Sequence, residues 1–469
     1  MSTVRRVPGV SRASNADDES AAAPRLEVYN PYPAYKDSGV EWLGQIPAHW
    51  DVKRLKSFAS VQLSNVDKKS KDGQDTIRLC NYVDVYYNER IDADLDFMTA
   101  TATLDQVRRF SLRTGDVLIT KDSETWTDIA VPAVVTENLS GVLCGYHLAH
   151  IRPTPECNGE FLSRALAATG PRDQYHVAAN GITRFGLTGN AIRDSTLPFP
   201  PLPEQRAIAD YLDRETARID ALAAKKERLI ELLREKRAAL ISHAVTRGLD
   251  PNAPLKDSGV EWLAQIPAHW AVKRVTWLFS IGSGTTPASG DSNYYGDGVP
   301  WVTSAELRES IVLQTDKTVT SAAIEDFPSL KIHPKNSVAV AMYGATIGRL
   351  GILGIPATVN QACCVFSNPK KVESQFWFYW LQFRRPYLIS LGYGGGQPNL
   401  SQELLRSIRL PLPPLLEQRA IADYLDRETA RIDALIEKVH EAIDRLKELR
   451  AALISAAVTG KIDVRKPAA

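Results

Sequence analysis

Two stretches of the chain carry apolar residues at helical spacing over an unusual length. Leu212, Ile219, Leu222, Leu229, Leu233 and Leu240 follow one another in steps of three, four and seven. Leu425, Ile432, Leu435, Val439, Ile443, Leu446 and Leu453 do the same. Each run opens on a glutamate (Glu204, Glu417) and meets no Pro or Gly until Gly248 or Gly460. Acidic start, heptad-like seam and glycine stop together predict two long helices. At 1.5 Å per residue, some 43 helical residues span roughly 65 Å. So long an apolar stripe needs a partner, and the simplest is the other copy, packed antiparallel with the domains carried to opposite ends. Before each helix stands a proline cluster, Pro198-Phe-Pro-Pro-Leu-Pro and Pro411-Leu-Pro-Pro-Leu-Leu, which excludes helix and marks a stiff boundary.

The remaining sequence has a shorter period. Thr76–Val85, Asp116–Thr120 and Ser337–Tyr343 read as strands, and Glu160–Thr169 and Glu373–Phe383 as helices. This texture fills two inserts, Leu55–Leu197 and Val275–Leu410, each the size of one α+β domain. Near-identical brackets surround them. Lys36–Arg54 and Lys256–Arg274 align without a gap and agree at 17 of 19 positions. Glu204–Leu222 and Glu417–Leu435 are identical throughout, at a slightly shorter offset. Gly39, Pro47, Trp42 and Trp50 suggest that the first bracket is an anchored loop rather than a regular strand. The inserts themselves hardly resemble each other, so one mechanical task is performed twice on two different targets.

Composition narrows the class without deciding it. With 469 residues, 44% hydrophobic and 24% charged, the chain is that of a globular protein of several domains. The 56 basic and 55 acidic residues leave a net charge of +1, so a nucleic-acid partner must be held by local patches. Arg349 and Pro356 interrupt the apolar run Val338–Val359, which favours strands over a membrane span. No signal peptide is visible, and Cys80, Cys144, Cys157, Cys363 and Cys364 lack zinc-site spacing, as expected of thiols in a reducing cytoplasm. Phosphate-loop, HExxH, GxSxG and deaminase motifs are missing, and Asn30-Pro-Tyr-Pro has the wrong order for an adenine methyltransferase motif. His49 and His269 occupy matching places beside Trp50 and Trp270, where a structural role is expected. The residues therefore support no catalytic or metal site.

Taken together, these elements resemble the specificity subunit of type I restriction-modification systems. The resemblance is carried by Tyr35–Lys56 (YKDSGVEWLGQIPAHWDVKRLK), the proline boundaries Leu197–Gln205 and Leu410–Gln418, and the EQRAIADYLDRETARID helix starts. Within the second insert it rests on Ser283-Gly-Thr-Thr-Pro, Val299-Pro-Trp-Val-Thr, Tyr343-Gly-Ala-Thr-Ile-Gly, Thr358-Val-Asn-Gln-Ala and Gly394-Gly-Gly-Gln-Pro-Asn-Leu. The first insert departs from this pattern, with Thr120-Lys-Asp-Ser-Glu-Thr-Trp in place of the Tyr343 segment.

The resemblance implies an α+β fold: two α/β target-recognition domains separated by two long antiparallel helices, a coiled coil with a pseudo-twofold internal repeat. The expected divisions are a mobile extension (1–34), target domain one (35–197), a proline boundary with the first spacer helix (198–255), target domain two (256–410), a second boundary and helix (411–462) and a tail (463–469). It further implies a non-catalytic, DNA-binding chain that reads a bipartite asymmetric target. Two methyltransferase subunits carrying S-adenosylmethionine would dock on it, and restriction subunits using ATP and Mg could join them.

Base reading requires side chains that pair with base edges. Thr285, Thr286, Tyr343, Asn360, Gln361 and Gln397 are the candidates in domain two, with Gly282, Gly284 and Gly394–Gly396 allowing close approach to phosphates. Lys121, Ser123, Asn180 and Arg184 are those in domain one. Partner docking falls to the repeated face Arg206, Asp210, Asp213, Arg214 and Arg218, matched by Arg419, Asp423, Asp426, Arg427 and Arg431. A single-chain enzyme and a scaffold without a DNA role are the competing classes.

Overall fold

The glutamate-led segments fold as two uninterrupted helices, Leu202–Arg247 and Leu415–Val458. The computed structural model describes residues 30–392 and 399–465, so most of the N-terminal extension, Gly394–Gly396, Gln397 and the end of the tail lie outside the described residues. Both helices begin slightly ahead of the glutamates. Pro203 therefore lies inside the first turn, where its missing N–H has no helical acceptor to satisfy. Gly248 and Gly460 follow the last turns with φ of 77° and 73°, the left-handed conformation in which glycine ends helices cheaply.

Two units are formed, Met1–Lys226 with Glu441–Ala469, and Glu227–His440. In the first, Ile208, Leu212 and Ile219 from the start of one long helix share a core with Leu453, Ile454 and Ala457 from the end of the other. In the second, Ile421 and Leu425 share a core with Ile241, Ala244 and Val245. Start against end means antiparallel packing in each unit. The pairing is sealed by one ion pair built twice: Arg450 Nε lies 2.9 Å from Asp220, and Arg237 Nε lies 3.0 Å from Asp433. Both arginines and both aspartates are related by the offset that relates Glu204 to Glu417, so the internal repeat is structural as well as sequential.

The expected leucine seam is only partly buried. Leu222 and its repeat equivalent Leu435 are 45% and 44% exposed, Leu229 is also exposed, and Ile230 is buried instead. The stripe is covered where the rest of each unit packs over it and open elsewhere.

Each target domain is built around a five-stranded sheet. In the first the order is Ala59–Leu63, Leu148–Pro153, Val117–Thr120, Pro132–Val135 and Arg90–Ile91, with only the last pair parallel. In the second it is Ser280–Ser283, Cys363–Ser367, Val338–Ala341, Leu350–Leu353 and Ser310–Val312, again with only the last pair parallel. A three-stranded sheet accompanies each, centred on Asp75–Cys80 or Tyr295–Val302, with one parallel and one antiparallel neighbour. Unlike sequences thus adopt one topology. The central strands explain how: Val117 and Ile119 face one core while Leu118 faces another, and Val338 and Val340 likewise oppose Ala339 and Ala341. Two-sided burial demands apolar residues at every position but leaves their identity open. All five cysteines are buried in these domains and unpaired.

The brackets are not separate loops and boundaries, because they pair with each other. Tyr35–Asp37 and Gln45–Pro47 form a short antiparallel ribbon, and Asp51–Arg54 pairs with Thr196–Phe199 from the proline cluster. In the second unit Leu255–Asp257 pairs with Gln265–Pro267, and Ala271–Arg274 with Arg409–Leu412. Proline is admissible here because each ribbon has only two strands and a free edge. The turns carry Gly39 and Gly44 at φ of 71° and 61°.

Trp50 and Trp270 are fully buried, each wedged with an isoleucine (Ile46, Ile266) against the start of one long helix and the end of the other. His49 Nε2 donates to Glu204 at 2.8 Å, and His269 to Glu417 at 2.7 Å, which gives both histidines the structural role expected of them.

Behind the plug sits a latch. Gln205 donates to the carbonyls of Pro200 (2.8 Å) and Glu156 (3.2 Å) and accepts from the Asn158 N–H (2.8 Å). Gln418 repeats this with Pro413 (2.9 Å), Lys371 (3.1 Å) and the Glu373 N–H (2.8 Å). Both glutamines are wholly buried, so each substitution to alanine strands three backbone groups without partners. We expect Gln205→Ala or Gln418→Ala to cost about 2–4 kcal/mol. Thermal unfolding of each variant checks this, and Glu, which cannot supply the two N–H bonds, should not rescue it.

Candidate nucleic-acid interface

One rim of the main sheet, where its central strand ends, is finished differently in the two domains. In the first, Val117–Thr120 runs on through Lys121 into Asp122–Ser123, which pairs with Phe185–Gly186. The Leu187 N–H donates to the Lys121 carbonyl at 2.8 Å, and the Lys121 N–H to His147 at 3.0 Å. In the second, Met342 takes the place of Lys121. The Leu400 N–H donates to its carbonyl, and its own N–H donates to Ala362, both at 2.7 Å. Equivalence extends to the neighbouring loop, where the N–H of Gly145 bonds Cys80 at 2.8 Å and that of Asn360 bonds Val302 at 3.0 Å. Tyr146 therefore stands where Gln361 does.

In domain two the geometry gathers Thr285, Thr286, Asn360 and Gln361. Thr286 hydrogen-bonds Gln361 through their side chains, and both are exposed. The Thr285 carbonyl accepts from the Trp301 indole at 3.2 Å, and Asn360 Oδ1 caps its own loop by accepting from the Ala362 N–H at 3.1 Å. Tyr343 is reached through Met342 and forms an isolated bridge with Asn399. Gln397 belongs to the undescribed stretch. Gly284 has a different reason from the one expected: a Cβ there would sit 1.6 Å from the Val359 carbonyl oxygen, so the close approach is to the chain's own backbone.

In domain one the 180–187 hairpin lies along residues 121–123, which brings Lys121, Ser123, Asn180 and Arg184 into one patch. Asn180 and Arg184 are exposed. Lys121 and Ser123 are buried, and Lys121 Nζ is tied to Asp122 at 2.9 Å beneath the Tyr146 ring. His147 Nδ1 binds the same carboxylate at 2.9 Å. Burial opposes ionisation of Asp122, yet hydrogen bonds from His147 and Lys121 carry its pKa below the usual carboxylate range.

Sequence reasoning missed the helix Tyr82–Tyr87 at this rim, because its β-rich composition reads as strand. Tyr82 and Tyr86 stack at 5.4 Å, Tyr86 donates to Asp128 at 2.6 Å, and Tyr87 is 76% exposed. The i, i+4 tyrosine spacing was the available signal.

Along the long helices, Arg206, Asp210, Arg214 and Arg218 are exposed at steps of four, as are Arg419, Asp423, Arg427 and Arg431. Among the described residues, no side-chain hydrogen bond or ion pair within the chain engages Arg206, Asp210, Arg214, Asp423, Arg427 or Arg431. Arg218 only approaches Glu215 at 4.0 Å, while Arg419 bonds Glu373 at 3.2 Å. Half-buried Asp213 and exposed Asp426 bond residues of their domains instead. Asp213 binds Arg90 at 2.5 Å and Arg164 at 3.1 Å, and Asp426 accepts from Tyr379 at 2.6 Å and Gln375 at 2.8 Å. One repeated carboxylate thus holds two unlike domains.

Among the described residues there is no cluster of three or more metal-ligating side chains, and no helix is long and apolar enough to cross a membrane. Gly284→Ala should lower the thermal midpoint of the second domain, at a cost of about 3 kcal/mol for displacing backbone. Gly282→Ala, with open space around its Cβ, should leave the midpoint nearly unchanged.

The family described as the type I restriction modification DNA specificity domain matches residues 47–232 and 267–445. A Methanocaldococcus jannaschii protein assigned as the type I restriction enzyme MjaX specificity subunit is 26% identical over 90% of this chain and 96% of its own. The Escherichia coli EcoBI specificity subunit is 25% identical over 65% of this chain and 66% of its own. Among solved structures, the HsdS subunit from Thermoanaerobacter tengcongensis shares the fold at a TM-score of 0.54, with 19% identity over 89% of this chain and 98% of that one. A chain from a structure on complex assembly and conformational transition of a type I R-M system shares it at 0.68, with 18% identity over 88% and 98%.

Proposed function

The chain belongs to the type I restriction-modification DNA specificity family, and from that membership we propose that each target domain reads one half of a bipartite, asymmetric DNA sequence. Its general role is that of the family: the non-catalytic, DNA-recognising component of a type I restriction-modification system. The observation that carries the finer reading is a single sheet topology whose rim, at the end of the central strand, presents Tyr146 and Arg184 beside buried Lys121 in one domain and Gln361 and Thr286 beside buried Met342 in the other. A common scaffold delivers both rims to duplex DNA in the same way, and the unlike side chains meet different bases. Arg184 suits guanine, Asn180 and Gln361 suit adenine, and the threonine methyl groups suit thymine. The buried Lys121 and Ser123 support the patch from below, and the exposed Tyr87 and Tyr146 add stacking or groove contacts.

The repeated helix faces receive two copies of one partner, the methyltransferase subunit. Identical exposed surfaces are what equivalent docking of two copies requires. Arg206, Asp210 and Arg214, their equivalents from Arg419 to Arg427, and the half-exposed Leu222 and Leu435 form those surfaces. S-adenosylmethionine belongs to these partners, and ATP and Mg to restriction subunits that join them. The helices set the unread gap between half-sites, acting as a ruler.

The test is a genome-wide map of adenine methylation with the chain and its partners present. Thr286→Ala with Gln361→Ala should relax one half-site, by about 1–3 kcal/mol for each lost base contact, and leave the other half-site and the gap intact. Deleting matched heptads from both helices should shorten the gap and spare both half-sites. Relaxation of both half-sites by the first pair, or an unchanged gap after the second, would overturn the assignment. Charge reversal at Arg206, Arg214, Arg419 and Arg427 together should abolish co-purification of the methyltransferase subunits.

A further inference from the structure

Each unit places a repeated arginine of the long helices and a glutamate of the domain at their junction, yet among the described residues only one of the two pairs is joined. Glu89 and Glu309 each stand immediately before the edge strand of the main sheet, Arg90–Ile91 or Ser310–Val312. Arg450 and Arg237, related by the offset of the helix starts, face them from the long helices. In the first unit Arg450 holds Asp220 through Nε at 2.9 Å and Glu89 through Nη2 at 2.7 and 2.9 Å. Arg164 adds a bond of 2.6 Å to the same carboxylate. The helix is clasped to the domain, and the cleft beside it, about 370 Å³, is lined by Glu89, Arg164, Lys447 and Arg450.

In the second unit Arg237 holds Asp433 alone among the described residues, at 3.0 Å. Tyr379 rather than an arginine contacts the repeated aspartate Asp426, and among the described residues the Glu309 carboxylate takes its one partner, Arg385 at 2.7 Å, from further along the helix Ser374–Ser390. Glu309 Oε2 and Gln382 Oε1 are then buried without a hydrogen-bond partner among the described residues. Both lie on a cavity of about 790 Å³ that Arg237 and Asp433 also line. Buried acceptors without donors cost free energy, and Arg237, a strong donor, lines the same cavity.

We propose that Arg237 and Glu309 are the two halves of a second clasp held open by Arg385, so that target domain two has two seatings on its helices where domain one has a single seating. In the closed seating Arg237 keeps Asp433 and adds Glu309, as Arg450 does with Asp220 and Glu89, and the cavity shrinks towards the volume of its counterpart. A junction with two discrete arrangements of packed elements needs only a small difference in free energy to populate both. This clasp depends on the geometry of each unit and not on which DNA bases are read.

Matched spin-label pairs on the full-length chain test it. Asp94→Cys with Glu448→Cys reports the first junction, and Gln314→Cys with Glu235→Cys the second; all four sites are exposed, and the native cysteines are buried. We expect one narrow distance in the first pair and two in the second. Arg385→Ala should shift the second pair to its shorter distance, and adding Glu309→Gln should restore the longer one. Glu89→Gln should broaden the first pair, which keeps the clasp testable if Arg385→Ala fails to fold. A second pair as narrow as the first, or a two-peaked distribution that ignores Arg385→Ala, overturns the proposal.

Discussion

Everything in each unit depends on seating one buried tryptophan between the start of one long helix and the end of the other. Trp50 and Trp270 are where three things meet: the ribbon that opens the domain, the proline strand that closes it and the helix pair. A buried tryptophan removes a large apolar area from water, on the order of 2–3 kcal/mol or more for a fully buried large side chain, but the effect has no direction. Direction comes from the polar groups around it. Glu204 and Glu417 bind the adjacent histidines, and Gln205 and Gln418 each tie three backbone groups of the domain to the helix start. Plug and latch together fix how a domain leaves its helix, which explains why these brackets are the parts that repeat almost unchanged.

Beyond that frame the two domains solve the same packing problem with different residues. Asp213 and Asp426 come from identical helix sequence, yet one is met by two arginines and the other by Tyr379 and Gln375. The sheets share strand order and direction because apolar residues fill both faces of the central strand, whatever those residues are. Diversity is then free to accumulate at the sheet rim and in its loops, where side chains are exposed and carry little of the stability. This division of labour leaves two different surfaces on equivalent mounts.

Much of this was legible from the sequence, and the misreadings have physical causes. Both long helices and their glycine stops are plain, because caps and periodicity are local signals. Spacing alone puts Leu222, Leu229 and Leu435 on the buried seam, but burial depends on what packs over a helix as well as on its stripe. Proline marks a boundary when read locally, whereas Pro198 and Pro411 lie in strands whose partners stand at the far end of each insert. Tyr82–Tyr87 looks like strand because tyrosine and valine favour sheets, and a capping box of Asn81 and Asp84 turns it into helix. Candidate site residues divide in the same way. Thr286 and Gln361 are far apart in sequence and meet in space, while Lys121 turns inward to a carboxylate that no local pattern indicated.

Propensity, spacing and near-identity along the chain were enough for the duplicated frame, the helices and the absence of familiar catalytic motifs, and the family came from the resemblance of its motifs. Three-dimensional packing was needed for the rest: that the brackets pair with each other, that unlike inserts share one topology, and that Arg450 bonds Glu89 while Arg237, among the described residues, bonds Asp433 alone. Those outcomes depend on contacts between residues far apart in the chain, where geometry rather than composition selects the partner.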